Sequence, residues 1–401
     1  MNRFSFSRRH LLGAALSFSL AGSLNLSACA QETPFVSVAR VPDGGLQPQV
    51  VVAGKVVHLI YFKGDPKAGD VFYVRSTDEG TTWTAPLRVN SGASSAVAMG
   101  TIRGPMLSVG RNGRAFVAWN GSDKAMPRNP MAPASVQKYG AAPLLFARLN
   151  NAGDAFEPQR NLLTRTFILD GGASVASDEE GRVYVAWHAV DRQGQDESGR
   201  RVYLSTSTDD GATFSPEKPV WNTPTGACEC CQVGIKAGNG GRVSLLYRSA
   251  TELIHRDSYF LQSVDGGKSF RGQKVSEWNI NACPMSSFAL AGSAKTSAIG
   301  WESAEKVYFS RLDDKGQAGR TVAAPGTGEN RKYPSLAVGS SGTLLFAWTE
   351  GTSWNRGGSL RFQLFDAKNQ PLGPVGQQNG VPAWSFATAF ARPDGKFTVL
   401  Y

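Results

Sequence analysis

The sequence predicts an all-β chain closed into a ring of seven four-stranded units, with six as the alternative count. Three observations predict it. The 401 residues include 45 Gly and 21 Pro spread along the whole length, which suits many short strands and turns better than helices. At 41% hydrophobic and 10% aromatic, the chain is too apolar to be disordered, and no segment shows a convincing helical period. A hairpin pattern then recurs: alternating apolar residues, a Gly-bearing turn, and an apolar run often ending in an aromatic. It appears at 48–62, 105–119, 172–187, 233–247, 285–301, 334–348 and 383–401. The hairpins start about 50 to 70 residues apart, the range of β-propeller blades rather than solenoid repeats.

After each of the first six hairpins come two more strand-like segments, such as 71–76 with 86–90 and 202–207 with 218–221. Four strands per unit make a propeller blade. The seventh hairpin ends the chain with only two strands. The unassigned segment 35–41 is expected to join it, so that N- and C-terminal strands close the ring. Residues 35–401 then form a single domain.

The first 28 residues read as an address. Ser7-Arg8-Arg9-His10-Leu11-Leu12 precedes an apolar stretch that ends at Leu26-Ser27-Ala28-Cys29. A positive start, a short apolar core and small residues before a cut site make a secretory signal, too short to span a membrane permanently. The arginine pair resembles the Tat export signal, and Leu-Ser-Ala-Cys resembles a bacterial lipobox. That resemblance implies a lipid on Cys29, a tether over 29–34, and a periplasm-facing or cell-surface lipoprotein. Ala30 after the Cys, in place of Asp, favours the outer membrane. The formal net charge is +10. Arg3, Arg8 and Arg9 carry three of these charges within the signal, and the rest are dispersed without runs. Such a surface argues against nucleic acid and suits a solvated exterior or anionic sugars.

Three turns share a stricter pattern: Ser76-x-Asp78-x-Gly80-x-x-Trp83, Ser207-x-Asp209-x-Gly211-x-x-Phe214 and Ser263-x-Asp265-x-Gly267-x-x-Phe270. Asp and Ser can bond amides within the turn, Gly takes the positive-φ position, and the aromatic packs back on the blade. The pattern resembles the Asp-box, or BNR repeat, of sialidase-like propellers. In that family the boxes are structural and sit on outer hairpins. The resemblance also implies a candidate hydrolase site, with a tyrosine nucleophile, a glutamate base and arginines that clamp the substrate carboxylate. Tyr333-Pro334 resembles the nucleophile segment. Glu229-x-x-Gln232-Val233 followed by Leu245-Leu246-Tyr247-Arg248 resembles the glutamate blade. Arg331 would be a second clamp, and Asp170, which opens the third blade, a candidate acid. The chain departs from the family at Gln47-Pro48-Gln49, where Arg-Ile-Pro is expected; Arg103-Gly104-Pro105 resembles that motif one blade later. A complete arginine triad is not visible.

The cysteines are more distinctive. Cys228, Cys230 and Cys231 precede the fourth hairpin, and Cys283, followed by Pro284 and Met285, precedes the fifth. Cys230 and Cys283 lie 53 residues apart, essentially one blade, so the four thiols and the Met285 thioether should converge at the channel mouth. Two chemistries fit. An exported protein with an even cysteine count usually forms disulfides, whereas clustered thiolates with a thioether select Cu(I) or Zn(II). His58, His188 and His255 read as structural. The sequence therefore points to an envelope-anchored module that binds a ligand or soft metal through this rim. An exo-sialidase-like hydrolase of acidic sugars and a protein-interaction scaffold are the alternatives.

Overall fold

Heavily buried second strands build the ring. In the computed structural model, described over residues 35–136, 140–292 and 296–401, the strands Ala115–Asn120 and Val183–Ala189 are buried at every position. A strand buried on both faces reads as a continuous apolar run because neighbouring blades cover it from either side. Trp119, Trp187, Trp301 and Trp348 recur near the ends of such second strands, each 1% exposed or less. Truncating one to Ala would cost about 3–5 kcal/mol.

The described residues form six four-stranded sheets and a seventh of three strands, each ordered from the inside outward. The innermost strands are Leu46–Ala53, Met106–Val109, Ser174–Ser177, Gly234–Gly238, Phe288–Gly292, Lys332–Val338 and Thr388–Ala391. Each packs beside the next, and the last returns to the first. The chain is thus a seven-bladed, all-β propeller, and all seven hairpins expected from the sequence are present. In the seventh blade, Val36–Ala39 pairs in parallel with Phe397–Leu400, in the register Val36 to Phe397 and Ala39 to Leu400. N- and C-terminal strands therefore close the ring, as expected. No helix among the described residues is long and apolar enough to cross a membrane. The signal peptide, the tether and Cys29 lie outside the described residues.

The three Ser-x-Asp-x-Gly turns join third to fourth strands and are built alike. In the second, the Ser207 hydroxyl donates to Asp209 at 2.7 Å and accepts from the Gly211 amide at 2.9 Å. Asp209 also accepts from the Thr213 amide and hydroxyl at 2.9 and 2.6 Å. These bonds hold its carboxyl down to about 2, the Thr213 hydroxyl contributing most. Gly211 has φ +72°, and a Cβ there would lie 3.0 Å from the Phe146 ring, so backbone conformation and packing both require glycine. Phe214 packs edge-on against Phe146.

Candidate thiol and metal centre

The segment entering the fourth blade is tied to three blades at once. The Cys228 amide donates to the Arg248 carbonyl of its own blade, Val233 to Gly172 of the third, and Gln232 to Ser286 of the fifth, at 2.9 to 3.0 Å. A tight turn, with the Cys231 amide on the Cys228 carbonyl at 3.2 Å, brings the sulfurs together. Gly171 lets this turn approach: a Cβ there would fall 2.0 Å from the Cys231 carbonyl oxygen and 2.4 Å from His188 Nε2.

Cys228, Cys230 and Cys231 are all buried, and Met285 packs against them. Their sulfurs lie within 4.8 Å of one another. Cys230 forms a disulfide with Cys283, with Cα atoms 6.3 Å apart, whereas Cys228 and Cys231 are free thiols. Cys231 Sγ lies 3.1 Å from Cys228 Sγ, and Cys228 Sγ lies 3.6 Å from Cys230 Sγ. Ser286 donates to Cys231 Sγ from its amide at 3.5 Å and its hydroxyl at 3.3 Å.

Electrostatics divide the two free thiols. Burial pushes Cys231 up, but the Cys228 hydrogen bond, the Arg248 charge and Ser286 outweigh it and bring it down to about 6. Cys228 is held well above its ordinary value by its bond to Cys231 and by burial. Arg256, paired with Glu197 at 2.6 Å, adds a second positive charge that acts on both cysteines. His188 accompanies the turn, with Nε2 2.8 Å from the Cys231 carbonyl. Burial, reinforced by Arg200, keeps it neutral, down to about 3.

The residues expected of a hydrolase are distributed differently. Arg248, 1% exposed, donates from Nε to Ser286 Oγ at 2.7 Å, and from its other two nitrogens to the Arg256 and Glu302 carbonyls at 2.5 and 2.6 Å. Every nitrogen is thus committed to the protein. Arg331 is buried, pairs with Glu350 at 3.0 Å and donates to the Ala324 carbonyl. Glu229 is held by the buried Arg200 at 3.1 Å. Asp170 pairs with Arg103 at 2.7 Å. Tyr333 is buried with φ +56°. Burial, then the Glu302 charge, raise its phenol well above the ordinary value. Its hydroxyl has no well-formed hydrogen bond among the described residues, although Thr101 lies beside it. Glu302, rather than Glu229, is the carboxylate that faces it; Glu302 accepts from the Tyr333 amide at 2.9 Å and pairs with Lys332 at 3.0 Å. His58 and His255 bond to Tyr73 and Asn279.

Sequence reasoning missed Ser286, Arg256, Glu197, Arg200 and Glu302. Only Ser286 carried a local signal, since it follows Cys283-Pro284-Met285 directly. Two cavities flank the centre. The central channel, about 490 Å³, is lined by the inner strands and includes Tyr333. A cleft of about 220 Å³ is lined by Cys283, Met285, Glu302 and Lys332 with Trp278 and Trp354.

No family model matches the sequence, and no curated protein is significantly similar to it. Among solved structures, the chain is similar to a protein of unknown function from Dyadobacter fermentans at 17% identity and TM-score 0.52, covering 82% of this chain and 95% of that one. It is also similar to an ulvan lyase from a new family of polysaccharide lyases, at 12% identity and TM-score 0.50, covering 90% and 87%. A Hadza microbial sialidase aligns at 13% identity and TM-score 0.47, covering 81% and 70%. At such identities the likeness is one of fold.

Proposed function

We propose that the chain is an exported, membrane-anchored propeller of the sialidase-like Asp-box kind that binds Cu(I) at its cysteine cluster. The observation that carries this reading is the mutual approach of three buried sulfurs within 4.8 Å, with Met285 against them. An all-sulfur donor set selects a soft ion. Arg248 and Arg256 beside the cluster offset three thiolates but oppose a dication more than a monocation, which favours Cu(I) over Zn(II). Because Cys230 is engaged with Cys283, the three-thiolate set arises when that disulfide is reduced.

Anaerobic Cu(I) titration of the reduced protein tests the reading. One tight equivalent is expected, weakened by at least about a hundredfold in Cys231→Ser. Reduced protein that takes up no Cu(I) would sink it. The same preparation is expected to leave sialosides intact, since every nitrogen of Arg248 is bonded within the protein and Arg331 is buried with its charge paired to Glu350. Turnover that vanished in Tyr333→Phe would replace this reading with the hydrolase.

Arg8-Arg9 and Leu26-Ser27-Ala28-Cys29 support Tat export and a lipid on Cys29 that holds the propeller at the periplasmic or outer surface of the envelope. Cys29→Ser should move the protein from the membrane to the soluble fraction; unchanged fractionation would remove the anchor.

A further inference from the structure

The four cysteines differ in access. Cys283 is exposed and lines the 220 Å³ cleft. Its disulfide partner Cys230 is buried at 3%, and Cys228 and Cys231 lie deeper at 0% and 1%. Sulfur follows sulfur without a gap: Cys283 is bonded to Cys230, Cys228 lies 3.6 Å from Cys230, and Cys231 lies 3.1 Å from Cys228. The contact order runs from solvent to core.

We propose that these cysteines form a thiol–disulfide relay, which shifts the disulfide from Cys230–Cys283 to Cys228–Cys231 and presents Cys283 as a free thiol to a disulfide-bearing partner in the cleft. This activity needs no metal and goes beyond the reading above. A buried disulfide with no neighbouring thiol is an inert staple; one with two thiols in sulfur contact has a built-in exchange partner.

The steps balance. The Cys228 proton passes to the Cys231 sulfur across their 3.1 Å contact, and the Cys228 thiolate so formed attacks Cys230 Sγ. The Cys230–Cys283 bond breaks, and Cys283 leaves with the electron pair and takes a proton from solvent. The Cys231 sulfur then attacks Cys228 Sγ, the transient Cys228–Cys230 bond breaks, and Cys230 receives the electron pair and the proton that Cys231 gives up. One disulfide and two thiols enter, and one disulfide and two thiols leave, so no oxidant is consumed. Outward transfer follows the same chemistry. Cys283 thiolate attacks the partner's disulfide, expelling one partner thiol. Cys230 then displaces the second and re-forms Cys230–Cys283. The partner is reduced by two electrons, and Cys228–Cys231 remains oxidised.

Alkylation mapping on the full chain, metal-free and without added oxidant or reductant, tests the relay. Native protein is incubated with N-ethylmaleimide and digested without reduction. The adduct is expected to accumulate on exposed Cys283, with a Cys228–Cys231 disulfide in the same molecules. A Cys230–Cys283 linkage that persists undiminished, whether or not adducts form at Cys228 and Cys231, would overturn the proposal. In Cys228→Ala, Cys283 labelling is expected to fall by about tenfold or more, because the first nucleophile is gone; unchanged labelling would also overturn it. The wild-type map decides the matter even if the variant misfolds. Cu(I) affinity is read in a separate experiment, so relay and metal site can fail independently.

Discussion

Arg248 reads in the sequence as a carboxylate clamp because Leu245-Leu246-Tyr247-Arg248 resembles the glutamate blade of the sialidase-like propellers. In the folded chain it stacks 4.9 Å from the Trp278 ring centroid and gives all its nitrogens to Ser286 and two carbonyls. A guanidinium removed from water needs partners, and the protein supplies one for each nitrogen itself. The motif was legible here; the competition for the donors of its arginine was not. His58 shows the same desolvation acting on a titrating group. It sits 3% exposed with Nδ1 2.6 Å from the Tyr73 hydroxyl, and burial, followed by the Arg75 charge, brings it from 6.5 down to about 4. Because the folded value lies below the unfolded one, the unfolded chain takes up a proton between pH 6.5 and 4 that the folded chain refuses. Stability therefore falls as pH drops through that window, by about 3 kcal/mol from this group. His58→Gln should flatten the pH dependence of denaturant melts between pH 7 and 4 by that order. Parallel profiles for the two proteins would contradict the assignment.

At the scale of elements, legibility follows locality. The Ser207-x-Asp209-x-Gly211 turn was readable because its partners lie within a few residues and its Gly answers a local φ requirement. The cysteine segment was readable only in part. Its one-blade offset from Cys283 predicted convergence, since equivalent positions on neighbouring blades are adjacent. Which sulfur meets Cys283 was not readable. That choice is made by the Cys228–Cys231 turn and by backbone bonds to Gly172 and Ser286, which turn Cys230 toward the fifth blade and leave Cys231 beside Ser286. Glu302 illustrates the other limit. It belongs to the second strand of blade five, yet bonds to the Tyr333 amide in blade six, and no spacing within one blade announces a contact across the seam between two.

For the whole molecule, the repeat made the ring legible, and the segment 35–41, left over from the hairpins, pointed to the closure. Seven blades meet neighbour to neighbour, so the ring has one seam where residues distant in sequence must find each other. There Val36–Ala39 lies against Phe397–Leu400, the Val41 amide donates to the Tyr401 carbonyl at 3.0 Å, and the Tyr401 amide donates to the Ala39 carbonyl at 3.1 Å. Val36 and Val38 pack on the core of the seventh blade, and Val41, Phe390 and Leu400 pack with Val57, Leu59 and Tyr61 of the first; because this closure joins the two ends of the described chain, it is the expected opening point of the propeller. Ser37 and Thr398 are register partners with hydroxyl oxygens 3.3 Å apart, close enough for a linking disulfide. Oxidised Ser37→Cys/Thr398→Cys should therefore close the longest loop in the chain and raise stability by about 3–5 kcal/mol, because long loops lose the most unfolded-state entropy when bridged. The thermal midpoint should rise by several degrees over the single Ser37→Cys control. If the bridge forms but the midpoint stays with the control, the chain opens elsewhere in the ring first.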